Sequence, residues 1–191
     1  MTLSSQLVAS GMWRWLQGTG IERFELQRAG RECILRGTVL TLDNHAAAAE
    51  ARYELVCDDA FHTLRAQVSV RTAAAERVLQ IVAEDGRWIE NGNENLAVKG
   101  AIDIDLEWSP STNTLPIRRM NLALGKSSGE FNAAWVRFPE LVLEPLPQEY
   151  VRLADRRYRY SSRGGALTAE LLVDGDGLVV DYQGFWQRVQ T

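Results

Sequence analysis

The sequence predicts an all-β protein built on a large antiparallel sheet, and three observations carry that reading. Apolar and polar residues alternate with period two through most of the chain, as strands with one buried face require. Turn dipeptides punctuate these runs at Ala29-Gly30, Asp85-Gly86, Asn91-Gly92, Asp174-Gly175 and Asp176-Gly177. The Asp-Gly and Asn-Gly pairs supply the positive φ of tight hairpins. Little helical periodicity separates the runs, so neighbouring strands are expected to be antiparallel.

In chain order, a short helical turn is expected near residues 4–10. "MWRWLQ" follows, and as a strand it puts Trp13 and Trp15 on one face. In "ECILRGTVLTL" (32–42) Cys33, Leu35, Gly37, Val39 and Thr41 share a face. In "HTLRAQVSV" (62–70) Leu64, Ala66, Val68 and Val70 do the same. Two alanine-rich segments, 45–52 and 71–79, have helix propensity. Each merges into an alternating run, "RYELVC" and "VLQIVAE", so both read as loop leading into strand.

The middle of the chain carries the most distinctive residues. "AIDIDLEW" (101–108) alternates, with Ile102, Ile104, Leu106 and Trp108 on one face and Asp103, Asp105 and Glu107 on the other. Three acids on one face repel unless solvated or met by cations. Asp103 and Asp105 are spaced like a glycosidase pair or an Asp-x-Asp cation site, but a solvated strand face explains them more simply, and a structural Arg–Asp network comes next. "SPSTNTLPIRR" (109–119) comes next. Its hydroxyls and Asn113 bond local backbone readily, and Pro110 and Pro116 fix φ. An ordered clasp is expected over Ser109 to Thr114. If "IRRMNLAL" is a strand, Arg118 lies beside Met120, Leu122 and Leu124, and Arg119 lies on the other face. Arg118 is then the buried arginine and requires a carboxylate, with Glu144 and Asp181 as open choices, while Arg119 is more exposed.

"GKSSG" (125–129) matches the Gly-x-Ser-x-Gly pattern of a nucleophile elbow. A strand-like run follows it, and both histidines, His45 and His62, lie upstream, so it reads as a turn. "RRYRYSSR" (156–163) puts Tyr158 and Tyr160 on one face of a strand, with arginines interleaved. Its simplest reading is tyrosines inward and arginines in solvent; arginine forks and aromatic rings also suit an anionic or sugar headgroup. The order of features from "RYELVC" to "IENG" recurs faintly from "RYRYSS" to "DYQG", which suggests a single β domain over residues 1–191 made of two similar halves.

Composition narrows the function. The net charge is −4 and the isoelectric point about 5.3, which argues against nucleic acid. No apolar run approaches the ~18 residues of a spanning helix. The first fifteen residues lack the basic start and apolar core of a secretory signal, so a cytoplasmic location is expected. Cys33 and Cys57 read as buried small hydrophobes. No zinc spacing and no phosphate loop occur, so no metal, cofactor or catalytic residue is assigned.

The run from "DGRW" (85–88) through "GAIDIDLEWSPSTNTLPIRRM", with "QEY" (148–150), "RYRY" (157–160) and "DGLVVDY" (176–182), resembles the putative glycolipid-binding family over about residues 12–189. "TNTLPIRR" (112–119) is its most specific element. The resemblance implies a sheet of two similar halves wrapped into a barrel-like shape, and a likeness to periplasmic lipoprotein and lipid carriers.

With the apolar alternation, it leads to the expectation of a non-enzymatic binder that holds a lipid or glycolipid in an apolar cavity. Trp13, Trp15, Tyr158 and Tyr160 are the candidate cavity aromatics, and Asn113, Arg118 and Arg119 the candidates for the polar head. Asp103 and Asp105 complete the candidate set. An enzyme using those two acids on a sugar, or a ligand-free β-scaffold acting through protein contacts, are the alternatives; the oligomeric state is left open.

Overall fold

A computed structural model of the protein describes residues 5–189. Strands dominate it. The first meander comprises β1 (Gln6–Trp15), β2 (Gly20–Ala29), β3 (Glu32–Leu42), β4 (Ala48–Cys57), β5 (Thr63–Arg71), β6 (Glu76–Glu84), β7 (Arg87–Glu90) and β8 (Asn93–Glu94). A 3-10 turn at Leu96–Val98, strand β9 (Ile104–Leu106), a second 3-10 turn at Ser111–Asn113 and helix α1 (Thr114–Met120) form the middle of the chain. The second meander comprises β10 (Phe131–Val136), β11 (Leu143–Ala154), β12 (Arg157–Ser162), β13 (Leu167–Val173), β14 (Val179–Tyr182) and β15 (Trp186–Arg188).

All fifteen strands belong to one sheet, in the order β8 back to β1, then β15 back to β9. The meanders meet where the first strand pairs with the last, with Trp13 opposite Arg188 and Trp15 opposite Trp186. Both alanine-rich segments behave as expected: residues 43–47 and 72–75 are turns and loop, and β4 and β6 follow. The helical turn expected near residues 4–10 is absent from Gln6 onward, where β1 begins, and residue 4 lies outside the described residues.

One ladder departs from the antiparallel rule. β9 runs parallel to β10, with Ile104 beside Ala134. No hairpin fixes its direction, because the chain reaches it by a long excursion from β8 at the opposite edge. The sheet does not close, and β8 and β9 are its edges. Its wrapping shows in bonds between distant strands. Thr63, at the start of β5, donates its N–H to Ile102 O at 3.3 Å. The Thr63 Oγ1 in turn accepts the Ile104 N–H at 3.1 Å. Asn95, just after β8, donates to Leu143 O of β11 at 3.1 Å.

The concave face is the core. Phe24, Leu35, Leu55, Val68 and Ile81 from the first meander share one apolar cluster with Tyr150, Tyr160, Leu171 and Val179 from the second. The middle of the chain adds Val98, Ile104, Leu106, Trp108, Leu115 and Ile117 to the same cluster. Each such side chain contributes roughly 1.5–3 kcal/mol on burial. The segment from Leu96 to Met120 therefore fills the concavity like a plug. Gly37 matters here: β4 sets Tyr53 opposite it, and any Cβ at Gly37 would collide with the Tyr53 ring. With that space open, the Tyr53 hydroxyl reaches across to the buried Glu22 of β2.

Candidate functional site

Residues 109–117 of the "SPSTNTLPIRR" segment are buried and built into the plug, and its two arginines are half-buried. Ser109 Oγ donates to Glu22 Oε1 at 2.8 Å and lies 2.7 Å from Ser111 Oγ. Thr112 Oγ1 accepts the Leu106 N–H at 3.2 Å. Asn113 donates to Pro110 O at 3.2 Å and accepts the Tyr150 hydroxyl at 2.8 Å. The expected clasp from Ser109 to Thr114 is thus ordered by hydrogen bonds. Burial raises the Glu22 carboxyl to about 8, against the opposing bonds from Tyr53 and Ser109. Its Oε2 has no partner among the described residues, which fits a neutral acid.

The strand expected over "IRRMNLAL" is instead helix α1. Pro116 sits in its first turn, where a missing N–H costs nothing. Asn121 ends it in the left-handed region at φ 39°. This overturns the parity argument for the two arginines, because helical neighbours are 100° apart rather than on opposite faces. Arg119, not Arg118, is the buried one. Its guanidinium forks onto Asp103, Nη2 to Oδ2 at 2.6 Å and Nε to Oδ1 at 3.1 Å. The Arg119 side chain is 15% exposed and the Asp103 side chain 0%. Burial raises the Asp103 carboxyl, and the Arg119 bonds offset part of that. The solvated-face reading fails for Asp103, while Asp105 is half-buried and Glu107 exposed. Asp103 lies inside the wrapped sheet, Ile102 is exposed, and only 104–106 form strand. Of the partners left open for Arg118, Glu144 is taken by Arg137.

Two hollows flank the plug. The first, of about 220 Å³, is walled by Trp15, Trp135, Tyr160, Tyr182, Phe185 and Trp186. Asp105, Glu107, Ser109, Asn113 and Arg163 supply its polar atoms. The rings touch in series: Trp186 to Trp15 at 5.0 Å, Trp15 to Phe185 at 6.0 Å, Phe185 to Tyr182 at 5.0 Å, and Tyr182 to Tyr160 at 6.0 Å. Arg163 lies over the Trp135 ring at 5.8 Å. Asp105 is half-buried at the wall. Burial raises its carboxyl to about 7, with Glu107 and Asp103 adding to the shift. Glu107 is held by Arg137 at 3.1 Å and by the Phe138 N–H at 2.7 Å.

The second hollow, of about 550 Å³, is a polar cleft that includes Phe61, Arg118, Arg119, Arg152, Arg156 and Tyr158 in its lining. The nine candidate residues therefore do not form one site. Trp15, Asp105, Asn113 and Tyr160 line the aromatic hollow, and Arg118, Arg119 and Tyr158 the cleft. Asp103 is locked in its ion pair. Trp13 belongs to the core, with its Nε1 donating to Val179 O at 2.7 Å and its ring stacked on Phe24. Tyr182 and Phe185 were missed as site residues; the tight "DYQGFW" hairpin that presents them is visible in the sequence, but not its nearness to Trp15. Trp135 and Trp186 also lie outside the candidate set.

Gly125 and Gly129 take positive φ in "GKSSG", which turns only at Gly125 and then runs beside β11, with Ser127 bridged to Val151 and bonding Glu149 and Gly129. Among the described residues no group of three His, Cys, Asp or Glu side chains converges as a metal site. No helix among them is long and apolar enough to cross a membrane. Cys33 and Cys57 are both buried and free.

The comparisons with known proteins agree with this architecture. The family described as "Putative glycolipid-binding" matches residues 10–188. A crystal structure of a DUF1089 family protein from Pseudomonas aeruginosa is similar, with 33% sequence identity and a TM-score of 0.82 over 89% of this chain and 92% of that one. No protein of curated function matches.

Proposed function

The chain belongs to the putative glycolipid-binding family, and on that premise we propose that it binds a glycolipid without acting on it chemically, taking the sugar headgroup in the aromatic hollow. One observation carries this reading: six aromatic side chains and an acid with no hydrogen bond from the described residues converge on a space of about 220 Å³. Aromatic faces suit the C–H faces of a sugar ring. Asp105, Asn113 and Arg163 offer both acceptors and donors to its hydroxyls. The volume falls below the ~300–1,000 Å³ of sites for larger ligands, which favours a sugar unit over an acyl chain. The plug already fills the rest of the concavity, so the lipid portion stays outside the mouth.

Of the two acids first considered for hydrolysis, only Asp105 is uncommitted among the described residues, and it has no free second acid beside it. Asp103 is occupied by Arg119, and Glu107, the other acid at the hollow, is occupied by Arg137 and Phe138.

Lipid extraction and native mass spectrometry of the purified chain test the reading, with tryptophan fluorescence titrations in detergent. A glycolipid is expected to bind saturably, the same lipid without its sugar much more weakly. Trp135→Ala is expected to weaken glycolipid binding about tenfold, the worth of one stacked ring. Equal binding of both lipids, or no loss in Trp135→Ala, would overturn the proposal.

A further inference from the structure

Arg118 is held in place with no acid attached to it. Its stem packs on the 174–177 turn, where a Cβ at Gly177 would meet Arg118 Cδ at 2.9 Å. Its guanidinium lies 5.0 Å from the centroid of the Phe61 ring. Its single hydrogen bond among the described residues is a long one, Nη1 to Gly175 O at 3.4 Å. No carboxylate among the described residues lies within 4.0 Å of it, since none of the ion pairs includes it. A guanidinium has five N–H donors, and most of those on Arg118 have no protein acceptor.

The neighbouring charges explain what could meet them. The three acids at the cleft wall are already engaged: Asp59 by Arg31 at 2.9 Å, Asp155 by Arg152 at 3.2 Å, and Asp174 by Arg188 at 2.6 Å. Arg119 is spent on Asp103. Arg152 is spent on backbone carbonyls as well, with Leu122 O at 2.8 Å and Asp155 O at 2.7 Å. Arg156 is 60% exposed and reaches Asp155 only at 3.9 Å. Arg28, Phe61, Arg118 and Asp176 line a further small hollow on the other side, and among the described residues Asp176 forms no ion pair with Arg118. Two guanidinium groups, Arg118 and Arg156, thus face the same hollow without committed acids.

We propose that this cleft binds a phosphate-like oxyanion, with Arg118 as the fixed fork and Arg156 as the mobile second cation. A planar fork matches the oxygen spacing of phosphate, and such charge-assisted bonds are about twice as strong as neutral ones. The site is separate from the aromatic hollow, and the α1 helix lies between them. The oxyanion is either a free phosphate group or the phosphate of a lipid headgroup.

Two arms distinguish the sources. In one, inorganic phosphate is titrated into the full chain, followed by thermal shift and ³¹P line width. In the other, vesicles of phosphatidylcholine with and without phosphatidic acid are sedimented with the protein. Saturable binding in either arm is expected. It should weaken about tenfold in Arg118→Gln and several-fold in Arg156→Gln, and fall with added salt. Arg77→Gln, which removes the same charge from exposed β6, should leave it unchanged. Binding of phosphate alone identifies a free anion, and binding confined to phosphatidic acid vesicles identifies a lipid headgroup. Trp135→Ala should retain anion binding, so a failed sugar site and a failed anion site give different results. Absence of binding in both arms, or equal binding in the two arginine variants and the parent, overturns the proposal. Arg156 is exposed, so its variant keeps the test open should Arg118→Gln fold poorly.

Discussion

The two hollows lie on either side of one short plug, yet different physics holds each wall. At the cleft the wall is fixed by charge: Arg119 on α1 forks onto a fully buried Asp103. At the aromatic hollow it is fixed by a neutral network, where Ser109 bonds Glu22, whose carboxyl is raised to about 8 and so is mostly protonated near neutrality. Asn113 and Arg118 are only five residues apart, about 8 Å along a helix. Over that distance the surroundings change from stacked rings to guanidinium groups. The difference teaches that the plug does two things. Its apolar residues fill the concavity, and its polar ends, each anchored by a different chemistry, shape two separate spaces.

Removing the charged anchor should have the largest effect. Arg119→Met leaves Asp103 buried and unpaired, which costs about 3–5 kcal/mol. Urea unfolding of Arg119→Met should show that loss, while Arg118→Met, which has no acid to strand, should lose less than about 1 kcal/mol. Similar losses in both variants would show that the pair does not hold the cleft wall.

The neutral anchor gives the next effect, and its sign follows from the direction of the shift. The Glu22 carboxyl is raised from 4.5 to about 8, so folding favours its protonated form. Its contribution is full below the unfolded pKa of 4.5, declines as pH rises, and is lost above about 8. The change across that window is on the order of a few kcal/mol. Glu22→Gln retains an acceptor for Tyr53 and Ser109 and carries no charge. Thermal melts from about pH 4.5 to about pH 8.5 should therefore fall less steeply for Glu22→Gln, which should be the more stable protein at the alkaline end. Parallel curves for parent and variant would mean that Glu22 is not the neutral anchor.

The same contrast explains which parts were legible in the sequence. Strands β3 to β5 were readable because each buries one face, and burial imposes period two. The plug was not readable that way. β9 lies inside the wrapped sheet, so both of its faces meet protein and Asp103 is buried despite its parity. Helix α1 hid behind an apparent alternation in "IRRMNLAL", although its start and stop were present: Asn113 and Thr114 before Pro116, two arginines in the last turn, and Asn121 after it. The aromatic hollow depends on the pairing of β1 with β15, a contact between the chain's two ends that local patterns cannot encode. Of the four candidates that line it, only Asn113 comes from the most specific stretch; Trp15, Asp105 and Tyr160 reach it from β1, β9 and β12.

The smallest expected effect concerns the ligand rather than the fold, and it rests on the sugar reading of the aromatic hollow. Asp105 has a carboxyl raised to about 7 and no hydrogen bond from a donor among the described residues. A sugar hydroxyl that donates to it bonds the carboxylate more strongly than the acid. Bound ligand therefore lowers this pKa, and by linkage affinity must rise as pH passes upward through about 7. The gain from about pH 6 to about pH 8 should be tenfold or less, because a net hydrogen bond to a charged group is worth only about 1.5–3 kcal/mol and a fraction of Asp105 is already ionised at the lower pH. Asp105→Asn removes the ionisation but keeps an acceptor, so its affinity should be flat across that window and lie below the parent's at the alkaline end. Fluorescence titrations with a glycolipid at several pH values make the comparison. A rise that persists in Asp105→Asn would place the titrating group elsewhere. A fall with pH in the parent would mean that the protonated acid is the form that donates to the ligand, reversing the role assigned to Asp105 while leaving the hollow as the site.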